Sequence, residues 1–203
     1  MHVTTTILPI GDPDAFEQAL AVLHAGEPIA FPTDTVYGVG ADGLDSRAVA
    51  RLFEVKNRPR HQAIPLLLAN LDDLRTVCPA VPPVAEELAA RHWPGGLTLV
   101  VPAAKHLPAE LLAGGTTVAV RIPDHPLLRE LIRRLGRPLA ATSANLHGQP
   151  NPVTAQDVAA DLGTRIPLIL DGGPTLGDVP STIVDVTTAA PRVLREGVVR
   201  VRL

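Results

Sequence analysis

The chain is poor in aromatic side chains: Trp, Tyr and Phe together make up 2% of its 203 residues, with one Trp and one Tyr. Proteins that hold single-stranded nucleic acid usually stack bases on aromatic platforms, so this scarcity argues against that class. The core must instead come from Ala, Val, Leu and Ile. One cysteine, Cys78, excludes an internal disulfide and fits a reducing compartment. No apolar run approaches the roughly 18 residues that span a bilayer, and the N-terminus lacks a basic-then-apolar leader pattern, so the expectation is a cytoplasmic protein. A formal charge of -3 gives no global basic field, although the uneven spread of arginines leaves room for a local basic groove.

Familiar catalytic signatures are missing as well. There is no GxxxxGK[ST], so any nucleotide is held without a Walker loop. The seven histidines show no HExxH or paired ligand spacing, and with one cysteine a structural zinc site is not expected. Residues 38–43 spell GxGxxG, yet no helix is expected to open on the third glycine and no acidic residue stands about 20 positions beyond it. Asp72-Asp73 and Glu86-Glu87 are adjacent on expected helices, where neighbours point apart, and read as solvated faces. No nucleophile elbow is present.

What the chain does have is 46% hydrophobic residues, enough for a sizeable core in one domain or two small ones. Its focus is residues 29–40, IAFPTDTVYGVG: a buried strand that Pro32 ends, delivering Thr33, Asp34, Thr35 and Tyr37 into a polar loop before two glycines. Around it, strands and helices alternate without a long linker or repeat. Asp12 caps a helix starting at Pro13 and stopped by Gly26, and Ser46 is expected to cap a second helix ending at Lys56-Asn57-Arg58-Pro59. Ala63 to Ala69, Leu97 to Val101, Thr117 to Ile122 and Leu139 to Thr142 read as strands. Leu71 to Val77 and Val84 to His92 read as helices, Asp124 as the cap of another that Gly136 stops, and Thr154 with Asp157 as the start of a further one. Consecutive strands follow at Leu168 to Leu170, Thr182 to Val186, Arg192 to Leu194 and Val198 to Val201. Alternation followed by consecutive strands implies an α/β sheet of mixed direction.

Polar groups at strand ends of such a sheet converge on one crevice. Lys56 and Arg58 at a helix-to-loop break, Arg121 at a strand end, Ser143 and Asn145 after a strand, and Arg195 near the C-terminus form such a set. Several cations suit a triphosphate, because its charges must be neutralised and the guanidinium fork matches phosphate oxygens.

In these segments the chain resembles the YrdC/Sua5 family of threonylcarbamoyl-AMP synthases from about residue 26 to 197. The resemblance is carried by FPTDTVYG at 31–38, KNRP at 56–59, WPGGLT at 93–98, VRIP at 120–123, SAN at 143–145 and PSTIVD at 180–185, in the family's order. It implies a single α/β domain over 1–203 with a twisted mixed β-sheet flanked by helices (YrdC/RibB-like) and a basic concave face. It also implies the short type, without the C-terminal extension of the longer Sua5 members. The implied reaction joins L-threonine, bicarbonate and ATP into threonylcarbamoyl-AMP with release of pyrophosphate, for N6-threonylcarbamoylation of tRNA adenosine 37 by a downstream transferase. Mg²⁺ is expected to accompany ATP, and the basic concave face is where any RNA contact would fall.

By motif, the resemblance assigns Thr35, Arg121 and Ser181 to L-threonine. Lys56, Arg58, Gln62, Thr117, Ser143, Asn145, Asn151 and Arg195 fall on the ATP side, with Lys56 and Arg58 stabilising charge. Gln62 stands where an asparagine is common, and Leu67 where some members carry a histidine. No general acid, base or nucleophile is required, since positioning and fixed cations can carry this displacement. Two other readings remain at this stage: an RNA-binding module, which would show steep salt dependence, and a carbamoyl-adenylating domain using carbamoyl phosphate.

Overall fold

The computed structural model describes residues 4–175 and 179–202. Its strands are β1 (Thr6–Pro9), β2 (Ile29–Phe31), β3 (Gly38–Asp42), β4 (Leu66–Leu67), β5 (Leu97–Pro102), β6 (Thr117–Arg121), β7 (Leu139–Ser143), β8 (Leu168–Asp171), β9 (Thr182–Asp185) and β10 (Arg192–Arg195). The helices are α1 (Pro13–His24), α2 (Ser46–Lys56), α3 (Asp73–Val77), α4 (Pro83–His92), α5 (Ala109–Leu112), α6 (Pro126–Leu135) and α7 (Ala155–Leu162). All ten strands join one sheet in the order β1-β8-β2-β3-β7-β4-β6-β5-β9-β10. It is mixed: β1, β8 and β2 run parallel, as do β4 with β6 and β5 with β9, while the remaining neighbours are antiparallel.

Successive residues on a strand face opposite sides, and here that alternation divides the core in two. Ala30, Leu66, Leu68, Val118, Val120, Ala140, Leu97 and Leu99 pack into one cluster with the buried faces of α2, α4 and α7. Their neighbours Ile29, Phe31, Leu67, Leu139 and Ala141 pack into the other, under α1 and α6. By the same parity Thr98, Arg121 and Ser143 point to the α1/α6 side of the sheet, where those two helices leave part of the surface uncovered.

The expected mixed α/β sheet is present, with several local corrections. The cap of α2 is Asp45, whose carboxylate accepts from Arg47 N at 2.8 Å, and Ser46 sits one place inside the helix. The cap of α6 is His125, whose Nδ1 accepts from Leu128 N at 3.2 Å, because Pro126 takes the first helical position and sets the cap one residue after Asp124. Strand Ala63 to Ala69 shrinks to Leu66–Leu67, and α3 starts at Asp73 rather than Leu71. Asp73 is not simply a solvated face, since its carboxylate accepts from Ala69 N at 2.9 Å and Asn70 N at 3.2 Å. Residues 198–201 form no strand and instead lie along the Pro180–Thr182 segment, where Val198 N donates to Pro180 O at 3.1 Å. β1, β3 and α5 had no counterpart in the sequence reading.

Candidate active site

The focal loop is built as its residues dictate. Pro32 follows the last paired residue of β2, and the chain then turns around the Thr33 hydroxyl, which accepts from Thr35 N at 3.1 Å and Val36 N at 3.3 Å and donates to Val36 O at 2.7 Å. With that proton committed, the Thr35 hydroxyl donates to Thr33 Oγ1 across 3.0 Å and accepts from Arg121 Nη1 at 3.1 Å. Arg121 closes β6 beside Leu67, its register partner on β4. Its Nη2 donates to Asp34 Oδ1 at 2.6 Å and its Nε to Gly95 O at 2.9 Å. The Gly95 carbonyl is presented by the Trp93-Pro94 turn, whose peptide bond is cis.

A second polar group stands nearby. Ser181 and Thr98 share a hydroxyl contact of 2.8 Å, and Arg195 Nη2 donates to Ser181 Oγ at 3.2 Å and to Ser181 O at 2.8 Å. Burial, and then the charge of Arg121, hold Arg195 below the ordinary guanidinium range. Thr182, fully buried, ties the following backbone down: its hydroxyl donates to Val199 O at 2.5 Å and accepts from Gly197 N at 3.0 Å and Val199 N at 3.3 Å. A Cβ on Gly197 would lie 2.3 Å from Pro180 O, so only glycine permits this approach.

Of these groups, Thr33, Thr35, Thr98, Arg121, Ser181 and Arg195 line one cavity of about 210 Å³. Of the residues expected to form a site, it brings together Thr35, Arg121, Ser143, Asn151, Ser181 and Arg195. Phe31, Val36, Pro65, Leu67 and Ala141 supply apolar wall, and Thr33, Thr98 and Thr142 further hydroxyls. Leu67 is therefore a wall residue.

Lys56, Arg58, Gln62, Thr117 and Asn145 are not on that wall. Lys56 is buried at the end of α2, which Asn57 closes in the left-handed region. The Lys56 ammonium donates to Ser143 O, to Asn145 O at 2.7 Å and to Asn145 Oδ1 at 3.2 Å. All three of its protons are thereby directed into the loop after β7. Burial, and secondarily the charge of Arg58, bring Lys56 down to about 7. Asn145 completes the clamp, accepting from Ser143 Oγ at 2.6 Å and donating to Gln149 O at 2.5 Å. Arg58 bends back on its own segment, donating to Gln62 O at 3.4 Å and Ala63 O at 3.0 Å, and burial lowers it from the usual range. Thr117 opens β6 opposite Pro102, four residues before Arg121 and so about 13 Å along the strand.

Sequence reasoning gave Thr98 no role, and it placed Thr33 and Asp34 in the polar loop without their partners. Thr98 was recoverable from strand parity, because it alternates with the core residues Leu97 and Leu99. Among the described residues no group of three or more His, Cys, Asp or Glu could hold a metal ion, and no helix is long and apolar enough to cross a membrane.

A cavity floored by a mixed sheet, with apolar walls, the buried Arg121, the more exposed Arg195 and a ring of hydroxyls, has the groups to hold a small anionic or zwitterionic ligand. Comparison with known proteins gives the lineage. Residues 21–197 match the model of the Sua5_yciO_yrdC family, described as "Telomere recombination". The chain belongs to this family. It is 44% identical over 179 residues to the threonylcarbamoyl-AMP synthase of Pyrococcus abyssi, covering 88% of this chain and 53% of that protein. Against the enzyme of the same name from Bacillus subtilis it is 43% identical over 194 residues, covering 95% of this chain and 56% of that one. The crystal structure of P. abyssi Sua5 complexed with L-threonine superposes with a TM-score of 0.92 at 41% identity, over 95% of this chain and 58% of that chain. The chain thus spans about half the length of these relatives.

Proposed function

We propose that this chain makes L-threonylcarbamoyl-AMP from L-threonine, bicarbonate and ATP, releasing pyrophosphate. The observation that carries the reading is the convergence of Thr35, Arg121 and Ser181 on a small cavity with apolar walls. Arg121 has five N–H donors, and three are already placed on Gly95, Thr35 and Asp34. One N–H on each terminal nitrogen remains for a carboxylate. The apolar wall suits the threonine methyl, which is worth about 1 to 3 kcal/mol over serine. The likeness to synthases of that name and to a threonine-bound structure supports the same assignment.

On the nucleotide side the reading places Ser143, Asn151 and Arg195 at the cavity, with Arg58, Gln62 and Thr117 outside its wall. Lys56 and Asn145 act by shaping the loop that carries Ser143. In the reaction, the threonine amine attacks the bicarbonate carbon and water leaves, giving a carbamate whose oxygen attacks the α-phosphorus of ATP while pyrophosphate departs. The protein's part is to hold the carbamate in line and to set fixed cations where charge accumulates. Mg²⁺ is expected to accompany ATP as part of the substrate, bridging its phosphates. The product would pass to a tRNA threonylcarbamoyl transferase in the cytoplasm, and RNA contact at the basic rim is an accessory expectation.

Pyrophosphate release tests this. It is expected to require threonine and bicarbonate together and to fall with serine. Equal turnover with serine, or turnover without an amino acid, would overturn the reading.

A further inference from the structure

Two arginines serve one cavity, and they are not electrostatically alike. Arg195 lines it and donates to the Ser181 backbone and hydroxyl, with no carboxylate paired to it among the described residues. Arg121 is paired with Asp34 at 2.6 Å, with side chains only 8% and 17% exposed. Asp34 itself is not part of the cavity lining. His125 is close enough to feel the charge of Asp34, but burial dominates and holds it below its usual range, and its Nδ1 is occupied as the helix cap. Arg121 is therefore the cation that satisfies Asp34.

We propose that Asp34 is a positioning residue for anion selectivity: by neutralising Arg121 from outside the cavity wall, it reserves that guanidinium for an amino-acid carboxylate and turns phosphate anions toward Arg195. The physical ground is charge number. A carboxylate on a zwitterion carries one negative charge, so the two remaining N–H groups of Arg121 suffice to bind it. Pyrophosphate or a triphosphate tail carries several charges, each repelled by Asp34, and the repulsion grows with their number in a partly desolvated site. Without Asp34, a buried guanidinium would stand unpaired beside the cavity and would recruit the most highly charged anion available. One cavity can then hold an amino acid and a nucleotide without the phosphates blocking the amino-acid half.

This inference rests on the reading that Arg121 receives the threonine carboxylate, and its test is a binding experiment that needs no turnover. Inorganic pyrophosphate is titrated calorimetrically into the unaltered chain, Asp34→Asn, Asp34→Glu and Asp34→Asn/Arg121→Ala, each with and without L-threonine. Asp34→Asn is expected to bind pyrophosphate about tenfold more tightly or better, in competition with threonine. Asp34→Glu keeps the charge and should behave like the unaltered chain, and the double variant should lose the gain. Equal pyrophosphate affinity in Asp34→Asn and the unaltered chain, or a gain that persists in the double variant, would overturn the proposal. Should Asp34→Asn melt early, phosphate is expected to raise its melting temperature but not that of the double variant, and failure of that rescue counts against the proposal. A wrong synthase reading would show separately, as absence of threonine binding to the unaltered chain.

Discussion

Replacing Lys56 with Met decides whether this lysine touches the transferring phosphates or only builds the loop beside them. Its three protons are directed to Ser143 O, Asn145 O and Asn145 Oδ1, leaving none for a ligand. Each charge-assisted bond is worth about 1.5 to 3 kcal/mol net. Opposing them is the cost of holding the ammonium in a buried site, chiefly desolvation and then the charge of Arg58, which brings its pKa down to about 7. The two effects offset each other, so Lys56→Met should cost only about 2 kcal/mol of global stability. Its local effect should be larger, because two carbonyls and an amide lose their common donor. Backbone amides of residues 143–149 are expected to exchange at least tenfold faster, and the ATP KM to rise about tenfold or more, with kcat at saturating ATP reduced far less.

The same residue makes a pH prediction. Its folded pKa lies below the unfolded value, so its contribution is fully present above about pH 10.5 and is lost as the pH falls through about 7. The stability of the unaltered chain relative to Lys56→Met should therefore rise between pH 7 and 10, as read by urea unfolding. A variant with unchanged exchange and ATP KM but a thousandfold lower kcat would refute the clamp and restore a direct phosphate contact.

Arg121→Ala should raise the threonine KM about tenfold to a hundredfold while calorimetry shows ATP binding retained, because it removes a charge-assisted carboxylate contact. Thr182→Val leaves Gly197 N and Val199 N without their buried acceptor and Val199 O without its donor; about 2 to 4 kcal/mol of stability should go in urea unfolding, with Thr182→Ser recovering most of it. Gly197→Ala must displace the Pro180–Ser181 backbone, so the melting temperature should fall and ATP affinity should weaken through Arg195.

The strand-to-loop break at Pro32, the mixed sheet and the helix stops at Asn57 and Gly136 were legible because each is local chemistry: a missing donor, a left-handed cap, an alternation. The arginines at strand ends were legible for the same reason, since an apolar strand ending in a cation marks a site. Lys56 was not. Its charge suggested phosphate, but whether a lysine faces a ligand or a neighbouring loop depends on residues 87 and 89 positions away, which no local pattern reports. β3 was hidden because Gly38 and Gly40 look like turn residues; they sit in a strand because the Phe31 ring and the Ala140 carbonyl occupy the space a Cβ would need. Residues 198–201 have strand composition, but Thr182 draws Gly197 to Val199 into a laced loop and ends the ladder at β10. Asp34 could be placed in the loop but not paired with Arg121, since that contact is purely tertiary.

All of these assignments depend on the chain performing adenylate chemistry on a carbamate. The direct test is mass analysis of the product formed by this chain from ATP, L-threonine and carbon-13 bicarbonate, in the presence of pyrophosphatase. The expected result is an AMP adduct that contains threonine and gains one mass unit from the labelled carbon. AMP joined to threonine without the labelled carbon, or no nucleotide adduct at all from folded protein, would contradict it.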